Sequence, residues 1–121
     1  MTQEHKMFKD MSVIPQAGSF MFIIKPGDTS VLEGRMLDKS PPLELLQFGV
    51  GGLIELIPRF NKFGGRPCVA FCNEEGKLER LPRNHLAQTL WEEACGRAIR
   101  EDHLVGNIVV IVGSHSFLKS M

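Results

Sequence analysis

Two short runs, FMFII at 20–24 and IVVIV at 108–112, are apolar at every position, which suits strands and not surface loops. The first extends to a strand over 19–25. Pro26-Gly27-Asp28 then makes a turn, because proline presets φ and glycine supplies the left-handed position. A second strand over 29–35 completes a hairpin. The later run, Ile108 to Val112, is expected to be a central strand covered on both faces. Between 86 and 99 the rhythm is helical. Leu86, Leu90, Ala94 and Ala98, with Trp91, Cys95 and Ile99, form one broad apolar stripe, and Asn84 stands where an N-cap belongs. His85, Gln88, Glu92, Arg97 and Arg100 lie outside the stripe.

The intervening chain reads as shorter elements. Ser40-Pro41-Pro42 opens a short helix to about Phe48, with Ser40 as cap, Leu43 and Leu46 inward, and a stop at Gly49. A strand over 53–57 ends at Pro58, and 59–67 is expected to be an exposed loop. Cys68 to Cys72 is a strand, and Asn73-Glu74-Glu75-Gly76 turns into a short strand over 77–80, with Gly76 left-handed. The order predicts an α+β domain. Its sheet is small, mixed or antiparallel, built from two hairpins and a final central strand, and packed by one short and one longer helix. Residues 1–18 are expected to be an N-terminal tail or extension, 19–115 a single domain, and 116–121 a C-terminal tail.

Composition narrows the function classes. Lysine and arginine equal aspartate and glutamate at fourteen each, so no overall field recruits long nucleic acid or an anionic membrane. Locally the balance shifts: residues 59–100 hold eight basic residues against five acids. Such a face suits a phosphate-bearing ligand, or else is a solvated surface bridged to Glu79, Glu92 and Glu93. Three cysteines without scaffold spacing fit a reducing cytoplasm. No apolar run approaches the roughly 20 residues of a membrane span.

Catalytic chemistry finds little support. Cys68 and Cys72 in one strand stand about 13 Å apart and cannot share a metal ion, so no metal or other cofactor is expected. No nucleophile, zinc or phosphate-loop motif is present, and Glu74 and Glu75 are expected on a solvated turn. The chain is therefore read as a binding protein and not an enzyme, with no catalytic residues. Its most ligand-like stretch is RFNKFGGR at 59–66, where Phe60 and Phe63 accompany Arg66; the alternative is a loop whose phenylalanines dock on the core.

Three blocks carry a resemblance: VGGLIEL at 50–56, CNEEGKLERLPRN at 72–84 and LVGNIVVIVG at 104–113. They resemble a family of domains of unknown function, numbered 3846, widespread in phages and bacterial mobile elements. Gly51, Gly52, Ile54 and Glu55 match its first block. Asn73 to Leu78, Leu81, Pro82 and Asn84 match the second, and Val105, Gly106, Asn107 and Val109 the third. Leu53 stands where an aromatic is usual, and Asn107 where aspartate is common. The resemblance implies a phage or mobile-element origin and supplies no reaction.

Two functions are expected from these readings. The first is a counter-defence factor in the host cytoplasm that sequesters a small anionic nucleotide signal. Its site would combine Phe60, Phe63 and Arg66 with Arg80, Arg83, Arg97 and Arg100, the last two sharing a helix face. The second is an inhibitor of a host defence protein, acting through Leu90, Trp91 and the final strand, in a chain expected to form a homo-oligomer.

Overall fold

The computed structural model of the chain describes residues 5–8, 14–29 and 32–121. Strand β2 (Ser19–Ile24) pairs with β3 (Leu32–Leu37) as the expected hairpin, with Phe22 opposite Gly34. Asp28 closes the turn between them, its N–H donating to the Lys25 carbonyl while its carboxylate accepts from the Lys25 N–H. On its other side β2 pairs with β7 (Ile108–Val112), which in turn pairs with β6 (Arg66–Asn73). Strands β4 (Ile54–Leu56) and β5 (Lys62–Phe63) share the far side of β6, and β1 (His5–Phe8) lies beyond β3. Every pairing is antiparallel, and the order is β1-β3-β2-β7-β6-β4. The protein is an α+β domain with an open antiparallel sheet, as its pattern predicts.

Helices cover both faces, which is why β7 is buried at all five positions. Ile108, Val110 and Val112 point into the larger core with Phe20, Phe22 and Ile24, closed by Ala87 and Trp91 of α2 (His85–Cys95). Val109 and Ile111 point the other way, under Leu46 and Val50 of α1 (Leu43–Val50) and against Phe117 and Leu118 of α3 (His115–Lys119). A strand with two apolar faces is stable only in such a sandwich.

Several local expectations are corrected. Helix α1 begins after Pro42 and takes no side-chain cap, so Ser40 does not cap it; Leu43 faces solvent while Leu46 is buried. The second strand runs 32–37 and not 29–35. Residues 77–80 do not form a strand. They curl, with Glu79 N–H on the Glu75 carbonyl and Arg80 N–H on that of Lys77, because nothing apolar in this stretch points inward. It is Arg80, with φ 57°, that takes the left-handed conformation; Gly76 does not, and serves instead as the point where Val105 packs closely. Helix α2 ends at Cys95, not at Arg100. Gly96, at φ 74°, adopts the left-handed cap that few other residues tolerate, and its N–H and that of Arg97 return to the Glu92 carbonyl. Within the segment read as an N-terminal tail, 5–8 pair with β3 and Ile14 is buried in the core.

The 59–67 stretch is the largest correction. It is not an exposed loop but the broken edge of the sheet. Gly64 and Gly65, both with positive φ, make the two-residue turn between β5 and β6. That hairpin swings Phe60 and Phe63 into the main core, where they are 2% and 1% exposed.

Candidate functional site

The three blocks of the sequence signature meet at one end of the sheet, and side-chain amides tie them. Asn73, at the end of β6, donates to the carbonyls of Val50 and Gly51 and accepts from the Glu75 N–H. Asn84 is buried; it donates to the carbonyls of Ile24 and Gly106 and accepts from the Ala87 N–H at the start of α2. Asn107 donates to the Gly49 carbonyl in α1. Pro82 accepts from the Gly106 N–H, and Arg83 bridges to Val105. Asparagine suits these positions because one short side chain offers donors and an acceptor together. The signature asparagines thus build the scaffold.

Beside this knot lies a cleft of about 140 Å³, lined among others by Glu55, Cys72, Glu74, Lys77, Trp91 and Asp102. Glu55 sits opposite Cys72 across the β4–β6 pair. Burial pushes the Cys72 thiol up to about 11, and the Glu55 carboxylate adds to the rise. Burial alone lifts Cys68 to about 12. Both thiols stay protonated near neutral pH and are poor nucleophiles. Among the described residues no group of His, Cys, Asp and Glu is arranged to hold a metal ion.

Lys77 forms an ion pair with Asp102 across the cleft. Burial pushes the Asp102 carboxyl up, but the Lys77 ammonium and the His103 N–H outweigh it and hold the group below the usual carboxylate range. Glu101, bonded to Arg97, is lowered to about 2. A carboxylate lowered on folding adds stability that is complete above its unfolded pKa and lost as pH falls through its folded one. The Arg97–Glu101 pair therefore supports the fold at neutral pH and ceases to do so as pH drops toward about 2, and the Lys77–Asp102 contribution is likewise lost as pH falls through the lowered Asp102 pKa. Lys77→Met should bring the Asp102 titration, followed by carboxyl NMR, back toward the ordinary range. An unchanged titration would show that the pair does not hold Asp102 down.

The residues expected to form a nucleotide site are not gathered into one. Phe60 and Phe63 are core residues, the Phe63 ring resting 5.2 Å from that of Phe22, so neither offers a face to a base. Arg66 is buried and donates to the Pro15 carbonyl, holding the N-terminal approach to β2. Arg97 lies beyond α2 and pairs with Glu101 at 2.8 Å, so it shares no helix face with Arg100. Arg80, Arg83 and Arg100 are exposed, and none of the five arginines lines the cleft. The proposed protein interface is also displaced. Trp91 is 2% exposed and donates to the Pro58 carbonyl at 2.8 Å, while Leu90 packs half-buried against the core and β7 is interior.

What the sequence reading missed is an apolar surface elsewhere. Phe48 of α1 is 81% exposed, and Leu53 and Leu56 are each 57% exposed. Helix α1 packs against β4, so Phe48 and Leu56 come from adjoining elements, and Leu53 lies in the connection between them. A signal was present: LELLQF at 43–48 carries more apolar residues than one helix face can bury.

An open antiparallel sheet sandwiched by helices, tied at one end by asparagine amides, defines an α+β domain. The chain belongs to a family described as a domain of unknown function, DUF3846, whose model matches residues 21–117. No curated protein and no solved structure matches it. Among the described residues no helix is long and apolar enough to cross a membrane.

Proposed function

We propose that this is a non-enzymatic accessory factor that works by binding another protein through the apolar surface of α1 and β4. The exposure of Phe48 on α1, Leu56 on β4 and Leu53 in the connection between them carries this reading. Single exposed apolar residues are ordinary, but a group of large ones marks an interaction surface. Each such side chain, once covered, contributes about 1.5–3 kcal/mol. In a phage or mobile-element setting the partner is a host defence protein met in the cytoplasm, where the three unpaired thiols would persist. A homo-oligomer is the homotypic form of the same surface.

The test compares the full chain with a Phe48→Asp/Leu53→Asp variant for capture of proteins from host lysate. A partner held by the natural chain should be recovered about tenfold or more weakly by the variant, with an unchanged near-UV spectrum. Equal recovery would rule out this surface.

Nucleotide sequestration stands as a second reading on one observation: Arg80, Arg83 and Arg100 are exposed and form no ion pair among the described residues. A thermal-shift screen against cyclic oligonucleotides and ADP-ribose derivatives separates the two. A saturable shift lost in Arg80→Glu/Arg83→Glu and kept in Phe48→Asp/Leu53→Asp would favour the nucleotide.

A further inference from the structure

The outer edge of β4 and the cleft beside it together specify a kind of chain that would fit them. The Leu53 carbonyl accepts from the Glu74 N–H, and the Ile57 N–H donates to the Ala70 carbonyl. With Ile54 opposite Asn73 and Leu56 opposite Phe71, the alternation of an antiparallel ladder turns the N–H and C=O groups of Ile54 and Leu56 away from β6. No strand lies beyond β4 among the described residues. Such an edge is a template for another strand, and proteins usually blunt it. Here the strand is short and carries one charge, Glu55, while the features that end it, Pro58 and Arg59 with φ 63°, come only afterwards.

Side chains on the two faces of this edge differ in kind. Glu55 lies on the Cys72 face and lines the cleft. Leu56 lies on the Phe71 face, where Phe71 packs with the α1 cluster. An added strand would therefore aim alternate side chains at the cleft and at Leu56. Lys77 is already engaged by Asp102, which leaves Glu55 and Glu74 as cleft carboxylates without an ion pair among the described residues. From residue 40 to 58 the chain has two acids, Glu44 and Glu55, and no lysine or arginine. The charge complement of this edge is basic.

We propose that β4 takes up, by strand addition, an extended segment of a partner protein in which basic and apolar side chains alternate. A basic side chain enters the cleft toward Glu55 and Glu74, and its apolar neighbours cover Leu56 and Phe71. This rests on the protein-binding reading and names the chemistry of the partner. Backbone bonds at Ile54 and Leu56 supply affinity, and the alternating side chains supply selection.

The experiment uses the full chain and a short capped peptide alternating lysine and valine. Two controls carry glutamate for lysine, or proline at the central valine. Amide exchange followed by NMR should slow at Ile54 and Leu56 by about tenfold when the lysine peptide is added, and the proline control should abolish the effect. The lysine peptide should bind about tenfold more tightly than the glutamate peptide, and Glu55→Lys/Glu74→Lys should reverse that preference. Both substituted side chains are exposed, so the variant keeps its fold. Unprotected amides, equal binding of both peptides, or an unreversed preference would each overturn strand addition. Slowing of the same amides with protein concentration alone would identify a second copy as the occupant and also overturn it. If lysate capture still depends on Phe48 and Leu53 while Ile54 and Leu56 stay unprotected, strand addition fails and the apolar surface stands. If capture survives Phe48→Asp/Leu53→Asp, the surface fails whatever the peptide does.

Discussion

Asn84→Ala is expected to be the most damaging conservative truncation in this protein, costing about 4 kcal/mol. The side chain is 1% exposed, and its three hydrogen bonds join three separate stretches of the chain. Its amide nitrogen reaches the carbonyls of Ile24 at 2.8 Å and Gly106 at 2.9 Å, and its oxygen caps α2 at the Ala87 N–H. Alanine leaves two buried carbonyls and one helix N–H without their partner, and each orphaned group costs about 1–3 kcal/mol. A domain of this kind has only about 5–15 kcal/mol in total, so the loss is large. Asn84→Ser separates the terms: serine keeps an acceptor for the cap and cannot span the two carbonyls. Asn84→Asp keeps the cap and sets a carboxylate against both carbonyl oxygens, so it should be no better than alanine. Urea unfolding of the three variants reads the order. A loss under about 1 kcal/mol for Asn84→Ala would mean that the knot relaxes without it.

Trp91→Ala should cost about 3–5 kcal/mol, as expected for emptying a large core site. Trp91→Phe should cost about 1–2 kcal/mol, chiefly through the bond from the indole nitrogen to the Pro58 carbonyl. On the interface edge expected from the sequence alone, the same truncation would change stability by no more than about 0.5 kcal/mol. Because it is the only tryptophan, the intrinsic fluorescence of the natural chain belongs to it alone. Blue-shifted emission, poorly quenched by acrylamide, is expected before any substitution is made. Red-shifted, readily quenched emission would place the ring at the surface.

The two substitutions also mark where sequence pattern is informative. Asn84 was legible as a cap because a capping signal is local: a short polar side chain precedes an apolar stripe. Its second task, joining Ile24 to Gly106, was not legible, because those partners lie 60 and 22 residues away. Trp91 and Phe63 mislead for a related reason. Periodicity says that a residue is on the apolar side of its element; which body covers that side depends on the crossing of distant chain. Arg97 and Arg100 fail more simply. The apolar rhythm runs on past Cys95 through Ala98 and Ile99, while Gly96 ends the helix by backbone geometry.

By itself the sequence determined the α+β class, the β2–β3 hairpin, the cap and start of α2, and the central place of Ile108 to Val112. All of these follow from residues close together in the chain, through turn chemistry, capping and apolar patterning. Only the tertiary structure decided that β7 lies between β2 and β6, that the glycine hairpin carries Phe60 and Phe63 inward, and that the signature asparagines are ties between elements. It likewise decided that Phe48, Leu53 and Leu56 are left outside. Each of these depends on which apolar surface is covered first and by what. That is settled by the packing of the whole chain, since burial is a property shared between partners and not carried by one residue.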